Sequence, residues 1–203
     1  MPDLKYERAL RKEGYPVIAG IDEAGRGPLA GPVSAAAVVL PLRYSHNVLN
    51  DSKKLSEKVR EELYEEITGD KRIRWASAMV EPAEIDDINI LRATWEAMRR
   101  AFEQLDPAPD IALIDGKPIK GFGAPHRALV KGDSLSLSIA AASIIAKVER
   151  DRLMRQYAEQ YPEYSFERHK GYGTKVHCEA LKKHGPCPIH RRSFAPVSQW
   201  EDA

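Results

Sequence analysis

The sequence predicts an α/β layered domain in which helices cover a sheet. Three observations support this fold class: short apolar runs bounded by glycine and proline, segments with apolar residues at helical spacing, and an alanine-rich stretch within residues 138–161. With 203 residues, of which 43% are hydrophobic and 30% charged, the chain is long enough for one domain with a full core.

Five short segments are predicted strands. The first, PVIAGID, is an apolar run that begins at a proline, and the third alternates apolar and charged residues as a half-exposed strand does. The others are brief apolar runs that end at a proline or at an acid. The predicted strands are residues 16–22, 33–40, 71–80, 111–115 and 127–133.

Four segments are predicted helices. In the first, Ser56 is a plausible N-cap and Gly69 ends the apolar repeat. In the second, apolar residues recur in steps of three and four. The predicted helices are residues 56–69, 82–105, 138–161 and 174–184. We expect residues 1–160 to form the core and residues 161–203 a C-terminal helical appendage of the same domain.

Composition limits the classes of function. The N-terminus is charged and lacks an apolar signal region, and no apolar stretch is long enough to span a bilayer, so we expect a cytoplasmic protein without membrane contact. The two cysteines, Cys178 and Cys187, imply no disulfide framework. The net charge is only +1, but residues 164–195 hold seven Lys or Arg against two Asp or Glu. That section is predicted to be either a phosphate-binding surface or an ordinary solvated face.

Acidic residues stand where three predicted strands end. Asp22, followed by Glu23, closes the first, Asp115 closes the fourth and Asp133 closes the fifth. Strand ends in helix-covered sheets gather ligand-binding residues, so these acids are predicted to converge. An Asp before a glycine, such as Asp115, also fits an ordinary turn. Because adjacent strand residues face opposite ways, we expect the chain to bend at residues 24–28 so that both acids of the first pair serve one site.

Four converging carboxylates would repel one another unless a cation lies between them. Oxygen ligands without nearby Cys or His favour Mg²⁺ or Mn²⁺ over zinc. Two such ions about 3.5–4 Å apart form the clamp used in phosphodiester hydrolysis. A glycosidase carboxylate pair is the alternative chemistry, although it gives no role to the basic C-terminal section. A zinc site among His177, Cys178, His184, Cys187 and His190 is disfavoured, because their spacing matches no usual pattern.

Six blocks in order resemble ribonuclease HII, the bacterial type 2 ribonuclease H. The resemblance covers nearly the whole chain and implies an RNase H-like mixed sheet flanked by helices. It also implies endonucleolytic cleavage of RNA in RNA–DNA hybrids and at single ribonucleotides in duplex DNA, with 3′-hydroxyl and 5′-phosphate ends. The blocks are GIDEAGRGPLAGPV at 20–33, NDSKKLS at 50–56, LIDG at 113–116, KGDSLSLSIAAASIIAKVERD at 131–151, HKGYGT at 169–174 and HRRSF at 190–194.

The resemblance also implies roles for particular residues. The family's four acids fall on the four acids singled out above, where they are expected to hold two Mg²⁺ or Mn²⁺ ions. Gly25, Arg26 and Gly27 match the family motif that contacts the ribonucleotide's 2′-hydroxyl, and Tyr172 matches the tyrosine that packs on the following deoxyribose.

Further expectations concern phosphate binding and assembly. Ser52, Lys53 and Lys54 resemble phosphate-positioning residues, although ordinary surface lysines explain them as well. Arg191 and Arg192 are predicted to hold the C-terminal section together or to contact the duplex. We expect a monomer.

Three related proteins remain as alternatives. Ribonuclease HIII differs by an additional N-terminal domain and lacks the GRG pattern, and with 15 residues before the first predicted strand we expect no such domain here. A non-catalytic hybrid-binding protein would not need the full set of acids. A resolvase-like nuclease of the same fold would not need GRG.

Overall fold

The computed structural model describes residues 1–200 and contains a five-stranded mixed sheet. The strands are β1 (Ile18–Ala24), β2 (Val33–Val39), β3 (Arg74–Val80), β4 (Ile111–Asp115) and β5 (His126–Leu129). Their spatial order is β3-β2-β1-β4-β5. β1 pairs antiparallel with β2 and parallel with β4, so that the antiparallel and parallel halves of the sheet meet at β1.

Seven α-helices are found within residues 1–200, together with four short 3-10 turns. The helices are α1 (Lys5–Lys12), α2 (Glu57–Gly69), α3 (Pro82–Ile88), α4 (Ile90–Glu103), α5 (Leu137–Gln160), α6 (Phe166–His169) and α7 (Lys175–His184). The turns are Ser52–Lys54, Gly132–Ser134, Pro162–Tyr164 and Val197–Trp200. The predicted mixed sheet flanked by helices is therefore confirmed. None of the helices in this part of the chain is both long and apolar enough to cross a membrane.

Helix α5 covers one face of the sheet and α4 covers the other. Side chains alternate along β2, so that Ala36 packs in the core under α5 and Ala35 in the core under α4. Small residues bring α5 into direct contact with the sheet, since a Cβ at Gly20 of β1 would lie 2.2 Å from the carbonyl carbon of Ser138. The backbone of α5 therefore lies directly against β1.

The helix predicted over residues 82–105 is broken at Asn89. This residue has a left-handed φ of 68° and separates α3 from α4. Its side-chain Oδ1 accepts hydrogen bonds from the backbone N–H groups of Leu91 and Arg92, at 3.0 and 3.2 Å. Such a cap contributes about 1 kcal/mol. The apolar spacing did not reveal the break because α3 and α4 pack against the same core.

The fifth strand is shorter than predicted, and the expectation that Asp133 closes it was wrong. β5 ends at Leu129, and Lys131 then adopts a left-handed φ of 60°. Gly132 follows with no room for a side chain, because its Cβ would lie 2.6 Å from Cδ1 of Ile139. Asp133 therefore lies in a 3-10 turn that leads into α5.

Helix α1 was not predicted, and it fixes the start of α5. The Glu7 side chain is 1% exposed, and its Oε1 accepts hydrogen bonds from the hydroxyls of Ser136 and Ser138, each at 2.6 Å. The N-terminal segment is thereby tied to the chain that follows Asp133.

At the other end of the chain, α7 confirms the helix predicted over residues 174–184. The division into a core and a C-terminal appendage stays a prediction. Its last three residues, 201–203, lie outside the described part of the chain.

Candidate active site

Asp22 of β1 and Asp115 of β4 lie side by side at one end of the sheet. The parallel register pairs Ile21 with Ile114, and the next residue of each strand is the acid. Since side chains alternate along a strand, both acids belong to the face covered by α5. Asp22 is 5% exposed.

Asp133 joins these two acids through its turn. The backbone N–H of Gly132 donates a hydrogen bond of 2.7 Å to Oδ1 of Asp115, which holds the turn against the end of β4. Asp133 itself is 7% exposed. The position of Asp133 is therefore set by the Asp115 carboxylate, which binds the preceding residue, and by the start of α5.

Glu23 completes the group from the other face of the sheet. β1 continues as far as Ala24, and Asp22 and Glu23 both pair with β2. The expectation that a bend turns both acids toward one side was therefore wrong. They point to opposite faces and come close to Asp115 because all three lie at the end of the sheet. Asp22, Glu23, Asp115 and Asp133 together form the acid edge.

Three carboxylates of the acid edge, those of Asp22, Glu23 and Asp133, resist ionisation. Burial raises the pKa of Asp22 well above its ordinary value, and the charges of Glu23 and Asp115 raise it further. Burial also raises the pKa of Glu23, against the opposing charge of Arg26, whose Nη1 lies 3.4 Å from Oε1 of Glu23. Burial likewise raises the pKa of Asp133. The fold therefore holds these carboxylates close together, and the cations beside them offset their repulsion only in part.

Asp51 is a fifth acid near the acid edge, and the sequence analysis did not single it out. After burial, its charge is the largest influence that raises the pKa of Asp133. Its Oδ1 accepts a hydrogen bond of 2.9 Å from the backbone N–H of Lys53 and so caps the Ser52–Lys54 turn. The only sequence signal was an Asp before a turn, which is too common to indicate a site.

The Ser52–Lys54 turn faces the acid edge. Burial alone would lower the pKa of Lys53, but nearby carboxylates, Asp22 foremost, outweigh it and raise that pKa. Lys54 Nζ lies 3.2 Å from the Ser134 hydroxyl. Of the three predicted phosphate-binding residues, Ser52 is only 6% exposed, whereas Lys53 and Lys54 are both exposed.

The donor chemistry of the acid edge suits a hard divalent cation. Carboxylate oxygens are the ligands that Mg²⁺ and Mn²⁺ prefer, and a cation would offset the repulsion that raises these pKa values. Throughout residues 1–200, however, no three His, Cys, Asp or Glu side chains converge closely enough to hold an ion. Binding therefore requires the carboxylates to rotate toward one another.

A cleft of about 580 Å³ gives the acid edge an open approach from solvent. Glu23 and Asp115 line one part of it, and Trp95 and Met98 of α4 line another. Arg26 also lines the cleft and connects it to the glycine loop, residues 25–32.

The glycine loop is held from inside by the fully buried Arg191. Its guanidinium donates hydrogen bonds to the backbone carbonyls of Gly25, Arg26 and Gly31, at 2.5, 2.9 and 2.9 Å. Burial lowers the pKa of Arg191 to about 9, and the positive charge of Arg150 contributes to this. The prediction that Arg191 holds the C-terminal section together agrees with these contacts.

A second fully buried arginine, Arg150 of α5, joins the glycine loop to the tyrosine loop, residues 169–174. It donates to the carbonyls of Ala30 and Pro32, at 3.0 and 2.8 Å, and to that of Lys170, at 3.0 Å. Burial lowers its pKa to about 10. Within residues 1–200, neither Arg150 nor Arg191 forms an ion pair with a carboxylate. Sequence reasoning missed Arg150 because its helical position gives no sign of backbone ligands.

Tyr172 and the GRG motif meet where the two loops touch. A Cβ at Gly27 would lie 3.6 Å from Cε1 of Tyr172, whose side chain is 45% exposed. The loops are joined by a hydrogen bond of 2.8 Å from the N–H of Leu29 to the carbonyl of Gly171. The structure therefore brings the residues predicted for sugar recognition together, next to the acid edge.

The sheet order and its covering helices define the fold class of the type 2 ribonuclease H enzymes. Ribonuclease H2 from Pyrococcus horikoshii is similar with a TM-score of 0.73 and 29% identity, and the match covers 91% of this chain and 97% of that one. The ribonuclease HII that was solved in complex with PCNA from Archaeoglobus fulgidus matches with a TM-score of 0.72 and 30% identity, over 88% and 95% of the two chains.

The sequence comparisons are more specific. The family model for Ribonuclease HII matches residues 19–197, and the chain belongs to the ribonuclease HII family. A ribonuclease HII from Endomicrobium trichonymphae is 54% identical over 95% of this chain and 92% of its own length. One from Desulfitobacterium hafniense is 53% identical over 98% and 76%. The resemblance and the RNase H-like fold are confirmed, and the protein is a ribonuclease H endonuclease.

Proposed function

We propose that this enzyme cleaves the RNA strand of RNA–DNA hybrids and nicks duplex DNA on the 5′ side of a single ribonucleotide. The products would carry a 3′-hydroxyl and a 5′-phosphate. The observation that supports this specificity best is the arrangement of backbone groups in the glycine loop, beside Tyr172 and the acid edge.

The peptide groups of this loop have a defined direction. Arg191 binds the carbonyls of Gly25 and Arg26, and in a trans peptide the N–H points away from the carbonyl of the same unit. The N–H groups of Arg26 and Gly27 therefore point away from the buried guanidinium. Neither donates a hydrogen bond to any residue in the described range, 1–200. They are available to a 2′-hydroxyl, which deoxyribose lacks.

Arg26 connects the glycine loop with the acid edge. Its guanidinium contacts Glu23 at 3.4 Å, while the following residue, Gly27, lies against the Tyr172 ring. A sugar bound at the N–H groups of the GRG motif would therefore place its neighbouring phosphate toward the acid edge. The exposed Tyr172 ring would pack on the deoxyribose that follows.

We further propose that Asp22, Glu23, Asp115 and Asp133 hold two Mg²⁺ or Mn²⁺ ions. When bound, such ions activate the attacking water and stabilise the leaving 3′-oxygen. The four carboxylates contribute the ligands and position them from two strand ends and one turn. Lys53, with Ser52 beside it, would hold the substrate phosphate near these acids.

The test uses a DNA duplex with one ribonucleotide, a long RNA–DNA hybrid and an all-DNA duplex of the same sequence. We expect a single nick 5′ to the ribonucleotide in Mg²⁺ or Mn²⁺, no cleavage in EDTA and none of the all-DNA duplex. End analysis should give a 3′-hydroxyl and a 5′-phosphate. Cleavage that persists in EDTA, or equal cutting of all-DNA duplex, would contradict the proposal.

A further inference from the structure

Three buried histidines of the C-terminal section surround the backbone of Gly171 and Tyr172. His177 is 0% exposed, His190 1% and His169 8%. Nε2 of His177 lies 3.0 Å from Nε2 of His190, and the rings of His169 and His177 stack with centroids 4.5 Å apart. These imidazoles do not belong to the acid edge.

The hydrogen bonds of this cluster fix the position of each proton. Nδ1 of His177 lies 2.9 Å from the carbonyl oxygen of Tyr172, and because a carbonyl only accepts, Nδ1 carries the proton. Nε2 of the neutral His177 then accepts from Nε2–H of His190. Nδ1 of His190 in turn accepts from the backbone N–H of Cys187 at 3.0 Å. A directed chain thus runs from Cys187 to Tyr172.

The neutral forms that this chain requires are the ones present near neutral pH. Burial lowers the pKa of His177 and of His190 to about 4 in each case. The ring nitrogens are occupied by one another and by the backbone, which leaves no lone pair of His177 or His190 for a metal ion.

The other side of Tyr172 is fixed by the third histidine. The N–H of Gly171 donates to Nδ1 of His169 at 3.2 Å, so Nε2–H of His169 donates to the carbonyl of Tyr164 at 2.8 Å. Gly171 has a φ of +84°, and a Cβ there would lie 2.4 Å from the carbonyl oxygen of Ala30. The peptide before Tyr172 is therefore packed directly on the glycine loop.

The bond from His177 is not needed to satisfy the Tyr172 carbonyl. That oxygen already accepts a hydrogen bond of 2.8 Å from the N–H of Thr174. The second bond, from a rigid buried ring, therefore restrains the orientation of the peptide group from which the exposed Tyr172 side chain projects. Such a restraint is useful if the Tyr172 ring must keep one position against the substrate.

We propose that His177 and His190 are positioning residues for the Tyr172 ring, and that the preference for a single ribonucleotide in DNA over a long hybrid depends on them. This inference rests on the proposed function, because it assigns Tyr172 to the deoxyribose that follows the ribonucleotide. It makes the segment that contains Cys187 and His190 part of substrate discrimination, although neither residue reaches the substrate.

The measured quantity is the ratio of kcat/KM on the one-ribonucleotide duplex to kcat/KM on the long hybrid. We expect His177→Ala to lower this ratio about 10-fold, because displacement of a substrate-contacting group by about 1 Å costs up to 100-fold. His177→Asn should restore most of it, since the Asn amide places an N–H close to where Nδ1–H stood. His184→Ala, at an exposed position of the same helix, is the matched control and should leave the ratio unchanged.

A Tyr172→Ala/His177→Ala double variant, compared with the single variants, distinguishes the proposed role of Tyr172 from the proposed role of the histidines. If His177 acts through Tyr172, then His177→Ala adds no change in the ratio to that of Tyr172→Ala. If Tyr172→Ala lowers the ratio but His177→Ala and His190→Ala lower both substrates equally, the histidines only stabilise the fold and the inference is overturned. If Tyr172→Ala itself leaves the ratio unchanged, the role of Tyr172 fails and the inference fails with it. Thermal unfolding of each variant shows whether it is folded at the assay temperature.

Discussion

At the acid edge, carboxylates lie close together with Lys53 and Arg26 as the cations that face them, whereas between the glycine and tyrosine loops two guanidiniums lie close together without a carboxylate partner in residues 1–200. The backbone of the two loops solvates these charges, because Arg150 and Arg191 together donate six hydrogen bonds to backbone carbonyls. The acid edge has no comparable donors. This difference indicates that the protein itself satisfies the buried guanidiniums, whereas the repulsion at the acid edge is only partly offset.

The largest effect is expected for Asp22→Asn. We expect cleavage to fall by more than about 100-fold, the loss typical of removing an outer-shell partner of a metal ligand, because a proposed ligand is itself removed. In EDTA the same variant should unfold at a higher temperature than the wild type. The neutral amide relieves the repulsion that raises the pKa of Asp22, and its oxygen still accepts from the N–H of Glu23. A fully active variant, or one less stable in EDTA, would contradict the contrast between the two regions.

The two glycines of the GRG motif are expected to differ in how much stability is lost when alanine replaces them. Gly25 has a φ of +92°, and a Cβ there would lie 2.0 Å from Nε of Arg150, so Gly25→Ala is expected to destabilise the fold by about 2–4 kcal/mol. At Gly27 the nearest atom is 3.6 Å away, and Gly27→Ala should change stability by less than about 1 kcal/mol. Chemical denaturation measures both values. Similar losses at the two positions would show that Arg150 does not hold the loop rigidly.

Acid pH is expected to change the stability of the protein, with opposite signs in the two regions. The folded pKa of His177 and His190 lies at about 4, below the ordinary 6.5, so the unfolded chain binds more protons between these values and stability falls as pH falls. The loss from pH 7 to pH 5 should be about 2 kcal/mol for each histidine that titrates independently. The raised pKa values of Asp22, Glu23 and Asp133 act the other way, since the folded state takes up protons more readily as pH falls.

The histidine contribution is isolated by comparing the wild type with a His177→Asn/His190→Gln double variant. Their free energies of unfolding should differ in pH dependence between pH 7 and pH 5, with the shallower acid loss in the double variant. Identical pH dependence would show that the two rings do not need to be neutral in the folded protein.

The sequence was sufficient for features that depend on local patterns. Apolar runs and one alternating segment located the five strands, and the acids of β1 and β4 lie side by side because these strands are adjacent and parallel. The turn that carries Asp133 was not predictable, since it depends on the left-handed backbone of Lys131 and on contact with Ile139. The side chain of Arg150 gave no signal either, because two of its three partners are carbonyls more than a hundred residues away along the chain.

Helix α5 contacts both regions, so its length sets the spacing between them. Ser138, in its first turn, donates a hydrogen bond to Glu7 beside the Asp133 turn, and Arg150, twelve residues further along, holds the glycine loop. One residue inserted between them would move Arg150 by about 1.5 Å and rotate it by about 100° about the helix axis. The number of α5 residues between Ser138 and Arg150 thus sets the distance between the proposed point of cleavage and the proposed point of sugar recognition. We expect this part of α5 to tolerate substitutions far better than insertions.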